Sequence, residues 1–283
     1  EGRQTMPVSK IKNLILLILS VCVIFLLALV VPQRLEQARA EREIHDRLEE
    51  LFASYDIQLA AESLPVSESL YAVELGAQES AAEQAALALL GQEAAAADDS
   101  TRFAPSYASD AGTCSMTLDG AFHAGLRGRA AASDILRDAE KVLSQLGFSH
   151  GALSQPVRQS AGVFRVDAAQ QLLGVPVFSE GLHLTYVNNV LTEIDGVFYT
   201  GGGQITRISE AACISCADAL VSLLSSRDQL GWVGSGVLSV RQGYRYAESA
   251  SASMRLIPVW MIETDTGTFQ VGGLTGEVSQ QEG

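Results

Sequence analysis

The N-terminal part of the chain consists of one apolar block followed by one charged block. The apolar block, residues 14–31, holds eighteen residues without a charged side chain. With its flanks, such a block is long enough to cross a hydrocarbon core of about 30 Å as a helix. It predicts a transmembrane anchor over residues 11–31. Lys10 and Lys12 precede the apolar block, which predicts a short cytoplasmic N-terminus over residues 1–10.

Two other interpretations of the apolar block remain open. A cleaved signal peptide would need a small-residue site near the block, and the "ARA" of residues 38–40 lies well beyond Val31. A lipoprotein would use Cys22, but Val21 stands where a small residue is expected. The length of the block favours an uncleaved anchor. The sequence does not decide whether the anchor is cleaved.

The charged block after Pro32 has the period of a helix. Its apolar positions recur at helical spacing between charged ones: Ile44, Leu48, Leu51, Phe52 and Tyr55. We therefore predict a juxtamembrane helix over residues 32–56. Three turns of apolar positions are too few to decide whether this helix pairs in a coiled coil.

Beyond residue 57, helical patterns alternate with strand-like ones. An alanine-rich helix follows the strand-like residues 70–75, and Gly91 closes or interrupts it. An amphipathic helix follows, with Ser133 as its cap and Gly147 at its end. A further helix is predicted to begin near Ser209. Strand-like runs with turn residues come after each of the last two helices.

This order predicts an α+β fold, in which an N-terminal transmembrane helix precedes repeated helix-plus-antiparallel-sheet units. We expect a first, degenerate unit over residues 57–128, a second over residues 129–204 and a third over residues 205–283. Each unit would bury one helix stripe against one sheet face.

Composition and charge narrow the function classes. The chain is 47% hydrophobic and 18% charged, which is typical of a globular protein. Its formal net charge is −14, and no stripe of Lys and Arg with interleaved aromatic residues is present. These features argue against a nucleic-acid partner, because phosphate binding needs a basic face. The membrane is the partner that the apolar block predicts, and no small-molecule substrate is inferred.

The triplet Asp265-Thr266-Gly267 resembles the active-site triplet of aspartic proteases. Such a site needs apolar strand residues before it and a second carboxylate that shares its proton. Here Glu263 and Thr264 precede the triplet, and alternating strand-like residues flank it on both sides. Asp and Gly are also typical hairpin residues. We therefore predict that the triplet turns a hairpin.

Cys213 and Cys216 form a C-x-x-C motif, which occurs in redox pairs and zinc sites. A redox pair usually opens a helix, whereas this motif follows the predicted helix start at Ser209. Both thiols fall on the stripe of Leu220 and Leu224, which favours buried structural cysteines. A disulfide is left open, although an i, i+3 pair within one helix has poor geometry for it.

The remaining motifs predict no catalytic, cofactor-binding or metal-binding residue. Gly201-Gly202-Gly203 lacks the residues of a phosphate loop and is interpreted as a linker. Neither H-E-x-x-H nor G-x-S-x-G occurs. Trp232 and Trp260 are expected in the core. Four scattered histidines suggest surface or satisfied core positions: His45, His123, His150 and His183.

With these elements in place, the chain resembles the YycH/YycI-type regulatory proteins of Gram-positive bacteria. The resemblance rests on the anchor, on "GVPVFSEGLHLTYVNNVLTEIDGVFY" and on "ISEAACISCADALVSLL". The closing "LIPVWMIETDTGTFQVGGLTGEV" is similar to a PepSY-type ending. The likeness covers most of residues 130–283 and much less of residues 56–128.

The resemblance implies a non-enzymatic, single-pass protein of the cell membrane with its main domain outside the cytoplasm. Proteins of this type restrain a two-component sensor histidine kinase, together with a related anchored regulator. An extracytoplasmic PepSY-type binding or inhibitor module, acting on a protease or cell-wall enzyme, is the alternative. A thiol oxidoreductase using Cys213 and Cys216 is a third hypothesis. The resemblance carries over no catalytic residue, cofactor or contact residue.

Overall fold

A computed structural model describes most of the chain from residue 42 onward. The described residues are 19–20, 25, 40, 42–59, 64–65, 67–76, 80–101, 103–117, 119–179, 181–199, 205–247 and 254–281. The chain divides into two compact units, residues 1–59 and residues 60–283. In the first unit, a helix α1 covers residues 42–53 and a two-residue strand β1 covers Gln58–Leu59.

The second unit contains four further helices and sixteen strands among its described residues. The helices are α2 (Ala81–Leu90), α3 (Ile135–Leu146), α4 (Cys216–Ser225) and α5 (Arg227–Leu230). The strands of its first half are β2 (Val73–Leu75), β3 (Ala95–Ala96), β4 (Ser106–Ser109), β5 (Gly112–Met116), β6 (Ala121–Leu126), β7 (Val157–Ser160), β8 (Val163–Ala168) and β9 (Gln171–Leu172). Those of its second half are β10 (Val175–Pro176), β11 (Leu182–Val187), β12 (Val190–Val197), β13 (Ile205–Arg207), β14 (Gly236–Ala247), β15 (Met254–Thr264), β16 (Gly267–Gly272) and β17 (Val278–Gln280).

The first sheet is antiparallel and has the order β3-β4-β5-β6-β12-β11-β8-β7. In β11 the buried residues Leu182, Leu184 and Tyr186 alternate with the more exposed His183 and Thr185. The tight turn between β11 and β12 uses Asn188 and Asn189, both with positive φ, as this hairpin type requires. Helices α2 and α3 pack on one face of the sheet and form a single apolar core with it. The other face carries the polar residues.

The local signals of α3 explain its bounds. Asp134 caps the helix, because its carboxylate accepts hydrogen bonds from the backbone of Leu136 and Arg137 at 3.0 and 3.2 Å. Gly147 ends it in the left-handed conformation with φ 69°. The helix is amphipathic as predicted, with Ala139, Val142, Leu143 and Leu146 buried on one side. The predicted cap was one residue away, at Ser133.

The second sheet is built around the long strand β15. Strand β14 pairs with one edge of β15, while β16 and β2 pair with successive parts of the other edge. Strand β17 follows β16, and β13 follows β2. Helix α4 packs against β16. A short hairpin, β9–β10, leads from the first sheet toward the second, where Val177 bridges Tyr244 in parallel.

The predicted fold class, with repeated helix-plus-antiparallel-sheet units after a transmembrane helix, is wrong. The described residues are richer in strand than in helix. Strands from the predicted units 57–128 and 129–204 share the first sheet, and β2 completes a sheet of the predicted unit 205–283. The chain therefore does not form repeated helix-plus-sheet units. Long-range strand pairing, which local patterns do not encode, determines this outcome.

The predicted N-terminal transmembrane helix is not found. In the part of the chain that the structure describes, no helix is both long and apolar enough to cross a bilayer. Of the predicted anchor, residues 11–31, only Leu19, Ser20 and Phe25 belong to that part. The predicted N-terminus, residues 1–10, lies outside it.

The helix predicted to begin near Ser209 begins instead at Cys216. Ser215 and Asp218 form a capping box there, with the Asp218 backbone donating to the Ser215 hydroxyl at 3.1 Å. The preceding residues are extended because they bind the segment around residues 70–72. Ile208 N donates to Ala72 O at 2.8 Å, and Cys213 N donates to Leu70 O at 2.7 Å.

Candidate functional site

Asp265 lies in the two-residue turn of the β15–β16 hairpin. Thr264 pairs with Gly267 across the turn. The Asp265 carboxylate accepts hydrogen bonds from the Ser235 backbone and hydroxyl at 2.8 and 2.9 Å. These bonds hold the pKa of Asp265 below its ordinary value. Its partner is a serine rather than a second carboxylate, so the hairpin prediction is confirmed.

The two cysteines of the C-x-x-C motif occupy different environments. Cys216 is the first residue of α4 and is buried, whereas Cys213 lies in the extended segment before the helix. Burial raises the pKa of Cys216 to about 12. Burial also raises the pKa of Cys213, although hydrogen bonding by Gln242 and Trp260 acts in the opposite direction. Protonated thiols are weak nucleophiles and poor metal ligands, so this arrangement favours a structural role.

The other predicted residues are dispersed. Trp232 and Trp260 are buried core residues, as predicted, and Trp260 Nε1 donates to Ile214 O at 3.0 Å. Residues 201–203 lie outside the described part of the chain. His45 belongs to α1 and His150 lies beside Phe148. Among the described residues, no group of three or more His, Cys, Asp or Glu is arranged to hold a metal ion.

The structure does bring two of the histidines, His123 and His183, onto the exposed face of the first sheet. Strand register places five polar residues directly opposite one another on successive strands β8, β11, β12, β6 and β5. We call this set the polar row: Asp167, His183, Asp195, His123 and Ser115. Acid and imidazole alternate along the first four positions. The neighbouring row on the opposite face is apolar and faces the core: Val166, Leu184, Ile194, Ala124 and Cys114.

One end of the polar row is held by ion pairs. Asp167 Oδ1 accepts from Arg165 Nε at 2.7 Å and from His183 Nδ1 at 2.6 Å. Because a carboxylate can only accept at neutral pH, the His183 proton is on Nδ1. Burial raises the pKa of Asp167, but the hydrogen bonds and charges of Arg165 and His183 outweigh it and lower the pKa overall. Asp167 is therefore a fixed negative charge.

The other end of the row is more open. His123 Nδ1 lies 3.6 Å from Glu193 Oε1, and both side chains are about half exposed. Asp195 lies between the two imidazoles by register, and no described residue makes a hydrogen bond or ion pair with its carboxylate. Ser115 is opposite His123, but no hydrogen bond joins their side chains among the described contacts. The row therefore offers charges and hydrogen-bond groups for recognition, without an activated nucleophile.

Sequence analysis missed the polar row because its members are up to eighty residues apart in the chain. Each strand shows the alternation that places its polar residues on one face. The register that aligns those residues depends on which strands pair, and no local signal gives that order. The histidines were therefore interpreted singly.

Comparison with known proteins assigns neither a family nor a function to the chain. No known protein-family description and no curated protein matches the chain. Among solved structures, an uncharacterized protein from Eubacterium rectale matches with a TM-score of 0.47 and 10% identity, covering 75% of this chain and 86% of that one. The C-terminal domain of YpeB from Bacillus megaterium matches with a TM-score of 0.40 and 12% identity, covering 74% of this chain and 100% of that one.

Both matches have a TM-score below 0.5, so neither supports an inference about fold or function. The function has to be inferred from the chain's own residues, and no family is assigned to the chain.

Proposed function

We propose that this chain is a non-enzymatic, extracytoplasmic binding module that contacts a protein partner through the exposed face of its first sheet. The observation that supports the proposal is the polar row, whose side chains face away from the helix-covered core. Asp167 of the row and its partner Arg165 carry fixed charges, and no described residue pairs with the carboxylate of Asp195. A protease or a cell-wall enzyme is the partner class that we favour.

Two further features support a binding role. Asp265 and the cysteines, which had the strongest catalytic appearance in the sequence, have the environments of structural residues. The extracytoplasmic location is proposed from the apolar block over residues 14–31. Neither feature identifies the partner.

Photo-crosslinking in cells tests the proposal. A photoreactive residue would replace Thr113 or Thr185 on the exposed sheet face, and matched controls would replace Arg137 or Glu140 on the outer side of α3. We expect one discrete adduct from both sheet positions and none from the helix positions. Asp195→Asn, introduced into the Thr185 variant, should lower the adduct yield because it removes the unpaired charge. Equal adducts from both sides would contradict the proposal.

A narrower version of the proposal makes the partner a sensor histidine kinase and adds a related anchored regulator. It rests on the resemblance of the sequence. The test is to release residues 33–283 with a cleavable signal. If the released form regulates the kinase as well as the anchored form does, this version fails while the binding module stands.

A further inference from the structure

The segment of residues 67–75 is embedded in a part of the molecule that is remote in sequence. Its last three residues, strand β2, lie between β13 and β15 and pair with both. Residues 205–216, β14 and β15 supply hydrogen-bonding partners for the segment. The paired residues Val73 and Leu256 are 183 positions apart in the chain. The segment therefore provides a central strand to a sheet whose neighbouring strands lie far along the chain.

The polar contacts of the segment are made largely through its backbone. The side-chain amide of Gln242 accepts from Glu68 N at 2.8 Å and donates to Glu68 O at 3.0 Å, which imitates a strand pair. Leu70 O accepts from Cys213 N at 2.7 Å. Ala72 N donates to the Ser209 hydroxyl at 2.9 Å, and Ala72 O accepts from Ile208 N at 2.8 Å. Backbone contacts of this kind recognise an extended chain rather than one set of side chains.

The apolar side chains of the segment supply the specificity. Leu70, Val73 and Leu75 are buried in one cluster. The cluster members that come from other parts of the chain are Leu172, Val175, Val177, Tyr199, Tyr244, Met254 and Leu256. The guanidinium of Arg207 lies 3.4 Å from the ring centroid of Tyr71 and covers the segment from outside. Apolar pockets beneath a paired backbone are features of a strand-addition site.

We propose that the second sheet contains a strand-acceptor groove, which binds an extended peptide and which residues 67–75 of the same chain occupy. The groove is formed by residues 205–213, β14 and β15. Its ligand is an extended peptide with apolar residues at the positions of Leu70, Val73 and Leu75 and a free peptide N–H at the position of Glu68. A partner that supplies such a strand would displace the internal one. This groove is separate from the polar row and does not depend on it.

A peptide exchange experiment tests the groove on the whole chain. The probe is a fluorescent peptide that copies residues 67–76, "SESLYAVELG", and its matched control has Ala at the position of Leu70. The Leu70→Ala chain holds its own segment less tightly, so its groove is open in a larger fraction of molecules. Apparent affinity for a peptide scales with that fraction. We expect the Leu70→Ala chain to bind the probe about tenfold more tightly than the natural chain does.

The control peptide should bind the Leu70→Ala chain about tenfold more weakly than the probe, because it leaves the Leu70 pocket empty. A photoreactive group at the Tyr71 position of the probe should label the fragment that contains Arg207. If the Leu70→Ala chain fails to fold by circular dichroism, the milder Leu70→Val chain replaces it, with the same expected order. Equal binding of both peptides, or no gain from weakening the internal segment, would overturn the proposal.

Discussion

At the scale of single residues, the backbone conformation of the "DTG" turn depends on Gly267 rather than on Asp265. Asp265 and Thr266 have ordinary negative φ angles, and the reversal of the chain is completed at Gly267, whose φ is 149°. A residue with a Cβ atom is strained in this region. Asp265 only ties the turn to Ser235.

We expect Gly267→Val to lower the free energy of unfolding by about 1 kcal/mol or more, because valine is strained at this φ. Urea unfolding of the two chains measures the difference. Asp265→Asn serves as the control, since an amide oxygen can still accept from Ser235, and partner binding should be unchanged. A loss of binding in Asp265→Asn with unchanged unfolding would show that the carboxylate has a functional role.

The buried thiols predict a loss of stability at high pH. Burial raises the pKa of Cys114 and Cys216 from 9.0 to about 12 in the folded chain. Above pH 9 these thiols ionise in the unfolded chain while they stay protonated in the folded one. The free energy of unfolding should therefore be unaffected by them below pH 9. It should then fall by up to about 1.4 kcal/mol per pH unit for each thiol as pH rises toward 12.

Urea unfolding at pH 8 and pH 10, in reducing buffer, measures this slope. Cys216→Ala should make the slope shallower, and it should cost about 1 kcal/mol at neutral pH through lost packing. Cys213→Ala should cost a similar amount. An unchanged slope would contradict the buried-thiol interpretation. Loss of a reductase activity or of bound zinc in either variant would do so as well.

At the scale of elements, two buried glutamines bind backbone groups that no sheet ladder reaches. Gln242 binds both peptide groups of Glu68, and Gln170 binds the backbone N–H and C=O of Tyr199 at 2.9 and 2.5 Å. A buried side-chain amide satisfies one donor and one acceptor at once, which is why each glutamine can replace a strand pair.

Gln242→Met tests this role, because methionine is similar in size but leaves the Glu68 N–H and C=O without partners. We expect a loss of about 2 kcal/mol in the free energy of unfolding. Gln159→Met, on the exposed edge strand β7, is the matched control and should change stability little. Equal effects in urea unfolding would mean that the amide pairing contributes nothing.

At the scale of the whole molecule, the C-terminal part of the chain depends on β2. Strand β2 pairs with residues 254–256 of β15 and with β13. Without β2, strands β13 and β15 each lose a partner, and an apolar cluster is exposed to water. The predicted unit 205–283 is therefore incomplete when it stands alone.

We expect a fragment of residues 205–283 to lack cooperative unfolding, because strand β2 and the buried residues of segment 67–75 are missing. A fragment of residues 60–283, which contains the complete compact unit, should unfold cooperatively. Urea unfolding followed by tryptophan fluorescence compares the two fragments, since both contain Trp232 and Trp260. A cooperative transition in the shorter fragment would show that β2 is dispensable.

The elements whose signals are local can be predicted from the amino-acid order alone. The stripe and end of α3 follow from the 3.6-residue period and from Gly147, and the hairpin turns follow from Asn188-Asn189 and from the "DTG" triplet. These features depend on residues within one turn or one hairpin, so the physical preferences that fix them act over a few bonds.

Strand pairing and register are known only from the folded chain. It placed β2 between β13 and β15, aligned the acids and imidazoles of the polar row, and moved the start of α4 to Cys216 by pairing the preceding residues with segment 67–75. Each of these outcomes joins residues far apart in the chain. Such contacts form because they bury a shared apolar surface and pair the backbone N–H and C=O groups across it. Local secondary-structure propensity contributes little to either effect.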